Sequence, residues 1–238
     1  CVDGGDLEVP RPEGRDPDAG EPAAGTAKYL AETEAVCERL RETVAATVAD
    51  GEVPLVLGGD HSIAIGTVGG LGGYDDVGVL WFDAHGDCNT PETTPSGNVH
   101  GMSLAAILGI GDSPAMGWER AAAVREERVA MVGLRDLDDG ERQHLRESAV
   151  TPFTMTDIDE RGIAPVVEEA IDVASRGVDA VHCSLDLDWL DPTEAPGVGT
   201  PVRGGVSYRE AHVAMEIVAE TLDDDLASVE LVEVNPIL

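Results

Sequence analysis

The chain has 238 residues, of which 42% are apolar and only 3% aromatic, so it can bury one core built mainly from aliphatic side chains. Its 47 acidic and 15 basic residues give a formal net charge of -32, which argues against nucleic acid as a partner, and its many apolar runs exclude a disordered acidic polymer. We hypothesise an acidic surface adapted to concentrated salt, which screens self-repulsion; full structure and activity at very low salt would contradict this.

The cysteines and the apolar runs predict a cytoplasmic protein. The four cysteines form no CxxC pair and have no regular spacing, so neither a disulfide framework nor a zinc knuckle is indicated. No apolar stretch approaches the ~20 residues of a membrane helix, and no signal peptide is recognisable. We therefore expect no membrane partner.

The first half of the chain predicts an exposed lead-in over residues 1–25 and the start of a single domain over residues 26–238. The lead-in is rich in Gly, Pro, Asp and Glu. From Thr26 to Val48, apolar residues recur at helical spacing and predict a long helix. The next predicted elements are a strand over residues 53–59, a short helix from Ser62, a strand over Val77–Phe82 and a polar loop to about His100.

The second half continues the alternation of helices and strands. The predicted helices cover about 101–109, 115–127, 139–149 and 160–176, with another from about Tyr208. The predicted strands cover Arg128–Leu134, 178–185 and 228–234, and a Gly/Pro-rich loop runs from Asp191 to Gly205. This alternation predicts right-handed βαβ units and a three-layer α/β/α fold, in which a mostly parallel sheet carries helices on both faces.

Four predicted strands end where an apolar run gives way to acids or histidines. The strings are GGDHS (residues 58–62), DAHGD (83–87), SLDLD (184–188) and EVNP (233–236). In open parallel sheets, ligands bind beyond the carboxyl ends of the strands, so residues distant in sequence can meet there. We therefore expect one site built from these strings.

Six side chains in these strings form a candidate centre for two metal ions. They are His61, Asp83, His85, Asp87, Asp186 and Asp188. Alternate residues of an extended segment point to one side, and four carboxylates crowded together need cations to balance them. Oxygen-rich ligation with some imidazole and no thiolate favours Mn²⁺ over structural zinc. Two such ions can share a water and lower its pKa, so hydrolysis is the expected chemistry.

Each string also has a simpler structural explanation. A DxD pair in so acidic a chain is typical of surface acids, and GGDHS alone is typical of a tight turn in which Asp60 or Ser62 caps a helix. The string DAHGD is harder to explain as surface acids or a helix cap, because it has three potential ligands directly after an apolar strand. Their occurrence together at four strand ends favours the metal centre.

In the strings GGDHS, DAHxD and SxDxDxxDP the sequence resembles the ureohydrolase family, which contains arginases, agmatinases, guanidinobutyrases and formiminoglutamases. The resemblance extends from about Gly5 to Leu238. It implies a binuclear manganese centre, with residues 26–238 as the catalytic domain. It also implies the role of each ligand. Asp83 and Asp186 would bridge the two metals. His61 and Asp87 would complete one metal site, and His85 and Asp188 would complete the other.

Within the family, DCNTPETTPSGNVHG (residues 87–101) and GLRDLDDGE (133–141) resemble arginases. The resemblance implies that the substrate α-carboxylate is bound, directly or through water, by Asn89, Thr94, Ser96 and Asn98. It implies that Asp138 binds the α-amino group and that Glu141 supports Asp138. It also implies that Glu233 faces the guanidinium and that Thr200 lines the pocket. His100 would be the proton shuttle. The implied reaction is hydrolysis of L-arginine to L-ornithine and urea by a metal-bridging hydroxide, with Asp188 helping to stabilise the tetrahedral intermediate.

Other interpretations stay open. His100 could be a structural histidine at a helix start, residues 89–98 could satisfy their own backbone, and Glu233 could be a buried salt-bridge partner. The activity could instead be that of an agmatinase, guanidinobutyrase or formiminoglutamase, and agmatine would leave the carboxylate-binding loop without a ligand. A single-zinc deacetylase of related fold and a non-catalytic relative are the alternatives outside this class.

Relative to the family, the chain departs at few positions and is shorter. Trp189 is bulky beside a ligand and Ser103 stands where proline is frequent, but no ligand is lost. We expect the chain to lack a strand and a helix at its N-terminus and a helix at its C-terminus. The string SYRE, residues 207–210, resembles a segment through which subunits associate, which implies a homotrimer or homohexamer.

Overall fold

Six parallel β-strands form one sheet at the centre of the computed structural model, which describes residues 1–10, 27–111, 124–235 and 237. The strands are β1 (Leu55–Leu57), β2 (Val77–Phe82), β3 (Val124–Leu134), β4 (Thr151–Thr154), β5 (Ala180–Asp186) and β6 (Leu226–Val232). Their order across the sheet is β1-β6-β5-β2-β3-β4, and every neighbouring pair is parallel. The crossovers between non-adjacent strands are those of βαβ units.

Helices cover both faces of this sheet. They are α1 (Leu30–Ala49), α2 (Ala64–Gly69), α3 (Ser103–Leu108), α4 (Asp139–Glu147), α5 (Met155–Arg161), α6 (Ile163–Ala174) and α7 (Tyr208–Leu222). All six residues of β2 are buried: Leu80 and Phe82 pack in the core with α6 and α7, whereas Val79 and Trp81 pack in the opposite core with α1 and α2. This alternation confirms the predicted three-layer α/β/α fold.

Several predicted boundaries were wrong, for local reasons. The predicted helix over 160–176 is divided between α5 and α6 at Gly162, whose φ of 84° interrupts the helical path. The end of the predicted helix over 115–127 belongs to β3, which begins at Val124, while residues 112–123 lie outside the described part. Strand β4 was missed because it is a short edge strand that contains Pro152.

The N-terminal region agrees only in part with the prediction. The long helix begins at Leu30 rather than Thr26, and residues 1–9 are exposed. Residues 11–26, which include most of the predicted lead-in, lie outside the described part, so the proposed domain division stays a prediction. None of the described helices is long and apolar enough to span a membrane.

Gly133, in β3, makes room for a buried indole. Its φ is +101°, and a Cβ added there would lie 2.1 Å from Nε1 of the fully buried Trp189. Gly133→Ala is therefore expected to lower the free energy of unfolding by about 3 kcal/mol, because strain and overpacking add. Urea unfolding measures this loss. Gly73→Ala, where a Cβ would meet nothing within 4 Å, is the matched control; equal stability of the two variants would contradict the prediction.

Candidate metal centre

The strings at the four strand ends meet because their strands are neighbours in the sheet. β1, β6, β5 and β2 lie side by side, and all four run in the same direction. Their carboxyl ends therefore form one continuous edge. The side chains that follow this edge are His61 after β1, Asp83, His85 and Asp87 after β2, Asp186 and Asp188 at the end of β5, and Glu233 after β6.

The first group of potential ligands surrounds His61. The Nδ1 atom of this fully buried histidine lies 3.0 Å from Oδ2 of Asp87, 3.1 Å from Oδ2 of Asp83 and 3.2 Å from Oδ2 of Asp186. Nδ1 nevertheless has no hydrogen bond of acceptable geometry. This ring nitrogen therefore faces three carboxylate oxygens without a hydrogen bond to any of them, which is the arrangement that a cation between them would satisfy.

The second group surrounds His85 and shares Asp83 with the first. The Nδ1 atom of His85 lies 3.0 Å from Oδ2 of Asp188 and 3.5 Å from Oδ1 of Asp83. The two oxygens of Asp83 therefore face different histidines. Two clusters in the described part have ligand atoms close enough to hold an ion: His61, Asp83 and Asp186 form one, and Asp83, His85 and Asp188 form the other. Asp186 belongs only to the first, so its bridging role stays a prediction.

The acids of this centre repel one another when nothing lies between them. Burial, followed by the charge of Asp83, raises the pKa of Asp87 to about 6. The same two causes raise the pKa of Asp186 well above its usual range and also raise that of Asp188. Divalent cations would remove this repulsion, because they favour the ionised carboxylates. The donor set therefore fits metal ions.

The reason why these side chains converge differs from the one predicted. The sequence interpretation assumed an extended backbone through Asp83, His85 and Asp87, but β2 ends at Phe82 and Asp87 has a φ of 49°. The loop is instead shaped by the acids themselves: Oδ1 of Asp83 accepts the backbone N–H of His85 at 2.7 Å. A non-glycine residue at positive φ is uncommon and is found preferentially at functional sites.

Two supporting residues were missed by the sequence analysis. The ring of Trp81 stacks on His61 with centroids 4.0 Å apart, and its Nε1 donates to Oδ2 of Asp83 at 3.0 Å. The hydroxyl of Ser184 lies 2.7 Å from Nε2 of His61. Each precedes a candidate ligand by two residues along a strand, so alternation could have indicated them. Both looked like ordinary core positions.

Thr200 and Arg135 hold the chain segment that carries Asp188. Thr200, predicted to line the pocket, donates from Oγ1 to Oδ2 of Asp188 at 3.0 Å. Arg135 donates to the carbonyl oxygens of Asp188 at 2.5 Å and Val202 at 2.8 Å. Arg135 therefore connects the loop that carries Thr200 to the chain segment of Asp188, a role with no sequence signal because it depends on backbone carbonyl groups.

The structure brings together three of the predicted substrate residues. Nδ2 of Asn89 donates to Oδ2 of Asp138 at 2.6 Å, while Oδ1 of Asp138 accepts the backbone N–H of Glu141 at 3.0 Å. Asp138 and Glu141 also form the capping box of α4. Each residue therefore has a structural role in addition to the predicted one.

The loop with the remaining carboxylate-binding candidates is bonded largely to itself. Oγ1 of Thr94 accepts the backbone N–H of Gly97 at 3.0 Å, and Oγ of Ser96 accepts that of Asn98 at 3.1 Å. These contacts match the alternative in which the loop satisfies its own backbone. They do not bring these three side chains into contact with Asp138.

His100 and Glu233 are paired. Nδ1 of His100 lies 3.4 Å from Oε1 of Glu233, an atom that also accepts the backbone N–H of His61 at 3.0 Å. The hydrogen bond to Glu233 raises the pKa of His100 to about 9, against the effect of burial. Burial raises the pKa of Glu233, but its interactions with His100 and His61 together outweigh this effect and the net shift is downward. Glu233 thus has the salt-bridge partner that one alternative anticipated.

The fold and this cluster define a class: a parallel α/β protein with a carboxylate and imidazole centre for cations at the carboxyl edge of its sheet. The model of the Arginase family matches residues 1–238, and the chain belongs to this family. It is accordingly an enzyme, a hydrolase acting on linear amidines.

Bacterial arginases are similar to the chain along most of its length. Arginase from Bacillus subtilis is 52% identical, in an alignment that covers 84% of this chain and 68% of the relative. Arginase from Bacillus caldovelox is 48% identical, with 98% of this chain and 77% of the relative covered.

Solved arginase structures share the fold. The native structure from B. caldovelox at pH 5.6 has a TM-score of 0.85 at 48% identity, with 92% of this chain and 73% of that chain covered. Arginase from Entamoeba histolytica in complex with L-ornithine has a TM-score of 0.82 at 36% identity, with 90% and 73% covered. These similarities confirm the family that the sequence strings predicted.

Proposed function

We propose that the chain is a binuclear manganese arginase that hydrolyses L-arginine to L-ornithine and urea. The observation that carries the proposal is the pair of ligand groups joined by Asp83, in which Nδ1 of His61 faces three carboxylates without a hydrogen bond. The similarity to arginases at about 50% identity supports the substrate. The L-ornithine bound to the E. histolytica relative supports the product.

The proposed ligands divide between two ions. His61 and Asp87 would complete one site, His85 and Asp188 the other, and Asp83 and Asp186 would be shared. Four carboxylates and two imidazoles suit an octahedral, hard-to-borderline ion such as Mn²⁺. When bound, two ions of this kind would supply a water activated as a nucleophile near neutral pH.

The remaining residues orient the substrate and move protons. Glu233 accepts the guanidinium in place of His100, with which it is paired at 3.4 Å. His100, released from that pair, donates a proton to the departing amine. Thr200 and Arg135 hold Asp188 in place, through the hydroxyl contact of 3.0 Å and the carbonyl contacts already described.

The amino-acid end of the substrate is bound by the loop and the α4 cap. Asp138 binds the α-ammonium, Glu141 keeps Asp138 in place through the capping box, and Asn89 positions it from the other side at 2.6 Å. Thr94, Ser96 and Asn98, together with Asn89, bind the α-carboxylate directly or through water. These side chains, together with Glu233, select a substrate that has an α-ammonium and an α-carboxylate at one end and a guanidinium at the other.

A substrate panel tests the proposal. With Mn²⁺, the protein is expected to release urea from L-arginine with a kcat/KM at least about 100-fold above that for agmatine, because agmatine lacks the α-carboxylate. Guanidinobutyrate and formiminoglutamate are assayed beside them. Removal of metal by chelation should abolish the activity, and Mn²⁺ should restore it. Faster turnover of agmatine than of L-arginine would assign the chain to the agmatinases instead.

The setting of the enzyme is part of the same proposal. We infer a cytoplasmic homotrimer or homohexamer with an acidic surface suited to concentrated salt. The segment SYRE begins α7 with a capping box between Ser207 and Glu210 and leaves Tyr208 60% exposed, which is compatible with subunit contact. Light scattering over a range of salt concentrations measures the oligomeric state directly.

A further inference from the structure

A buried carboxylate lies two hydrogen bonds away from the metal centre. Glu230, on β6, is fully buried, and its Oε1 accepts a hydrogen bond from Oγ of Ser184 at 2.7 Å. The same Oγ lies 2.7 Å from Nε2 of His61. Glu230 touches none of the candidate metal ligands through its carboxylate, and no function described above requires it.

The direction of these hydrogen bonds follows from the chemistry of the carboxylate. An ionised carboxylate only accepts, so the hydroxyl hydrogen of Ser184 points to Glu230. The Ser184 oxygen must then accept from His61, which places a hydrogen on Nε2. In the neutral ring, which is the form that binds a metal, the lone pair is then on Nδ1, and it is this atom that faces Asp83, Asp87 and Asp186 at 3.0 to 3.2 Å.

Glu230 is ionised in this setting. Burial raises the pKa of its carboxyl, but the charge and hydrogen bond of His182, together with His61 and Thr67, outweigh burial, and the net shift is downward. Nε2 of His182 lies 3.3 Å from Oε1 of Glu230, and its Nδ1 lies 2.7 Å from Oγ of Ser228. His182 is thus held by Ser228 in contact with Glu230.

The buried carboxylate of Glu230 is expected to lower the stability of the fold. Oε2 of Glu230 is buried and has no hydrogen bond of acceptable geometry, although Thr67 helps to lower the pKa of the carboxyl. Ala227 and Val232 on the same strand show that apolar residues suit this sheet. An incompletely bonded, buried charge is generally less stable than an apolar side chain of similar size. Its presence is explained if the charge serves the metal centre.

We propose that Glu230 is a positioning residue which, through Ser184, holds His61 in the ring form that presents Nδ1 to a divalent cation. The inference rests on the proposed function only in requiring that the centre bind metal. Outer partners of metal ligands typically change metal affinity by about 10- to 100-fold when they are removed.

The test measures Mn²⁺ binding to the metal-free protein by calorimetry, beside its thermal unfolding. Glu230→Met, which has no acceptor, is expected to weaken Mn²⁺ binding about 10- to 100-fold. Its activity should be recovered when Mn²⁺ is raised accordingly. Glu230→Gln keeps one acceptor and should lose less. The metal-free Glu230→Met protein is expected to unfold at a lower temperature than the wild type, because Ser184 and His182 lose a buried acceptor, so binding is measured at a temperature at which every variant is folded. A purely structural role would lower the unfolding temperature without changing the Mn²⁺ affinity of the folded protein.

Two controls isolate the path through Ser184. Ser228→Ala breaks the far contact of His182 but leaves the Ser184 bridge, so Mn²⁺ affinity should stay within about 2-fold. In a Ser184→Ala background, Glu230→Met should cause no further loss, because interacting residues are not additive. If Glu230→Met does not fold, Glu230→Gln is used in the same cycle.

The outcomes separate this inference from the proposed function. Additive losses in the double variant, or unchanged affinity in Glu230→Met, would overturn the role of Glu230 while the metal centre stands. Failure of the wild-type protein to bind Mn²⁺ would instead overturn the proposed function.

Discussion

Asp83→Asn is expected to lower kcat/KM for L-arginine by at least about 10³-fold and to reduce the metal bound per chain below two ions. One oxygen of Asp83 lies 3.1 Å from Nδ1 of His61 and the other 3.5 Å from Nδ1 of His85, so the substitution acts on both ligand groups. The amide nitrogen would also face a donor, because Trp81 and the backbone of His85 each donate to one of these oxygens.

Metal analysis and steady-state assays at saturating Mn²⁺ measure these effects. The metal-free variant is expected to be less stable than the wild type, because, against the effect of burial, His61 and His85 hold the pKa of Asp83 below its usual range and both oxygens of Asp83 accept hydrogen bonds. Asp60→Asn is the control: Asp60 is exposed and caps the short helix at His61 by accepting from Ser62, a role that asparagine can keep. Two bound ions with kcat/KM within 10-fold of wild type in Asp83→Asn would refute the shared role of Asp83.

The sheet and the edge that carries the centre could be predicted because they depend on local patterns. β2 is apolar on both faces, as a central parallel strand must be, and acids follow directly where the strand ends. Side chains that follow parallel strands reach the same edge whatever the details of the loops. The convergence of six potential ligands therefore did not depend on correct loop geometry.

The loop geometry itself could not be predicted. The positive φ of Asp87 and the turn that Asp83 makes with the N–H of His85 arise from contacts within the folded centre. The alternation of Asp83, His85 and Asp87 correctly predicted that these side chains converge, but the extended backbone that this prediction assumed is not present in the structure. The division of α5 from α6 at Gly162 is similar, because a glycine within a helical pattern is often tolerated.

The residues that contact the candidate metal ligands from within the core, directly or through another side chain, were not predicted, because they are buried in apolar strands. Trp81, Ser184 and Glu230 lie within apolar strands, where a sequence pattern indicates core. Their partners come from other strands, so only the register of the sheet reveals the contacts: Ser184 lies opposite Trp81 in β2 and opposite Glu230 in β6. Registers between non-adjacent segments are not encoded in any local window.

Asp138→Asn is expected to raise KM for L-arginine about 10- to 100-fold with little change in kcat, because one charge-assisted hydrogen bond to the α-ammonium is lost. Alanine at this position would also remove the helix cap and about 1 kcal/mol of stability. Asparagine can keep the oxygen that accepts the N–H of Glu141 at 3.0 Å. Steady-state kinetics at saturating Mn²⁺ measure the change.

Substrate analogues show whether Asp138 binds the ammonium. 5-Guanidinopentanoate lacks the α-amine but keeps the carboxylate, so its KM should be the same in wild type and Asp138→Asn within about 3-fold. Agmatine keeps the amine, and its KM should rise with that of L-arginine. Asp139→Asn, an exposed acid in the first turn of α4, is the control and should leave KM unchanged. An equal rise for all three substrates would mean that Asp138 acts on the loop, through its 2.6 Å contact with Asn89, rather than on the ammonium.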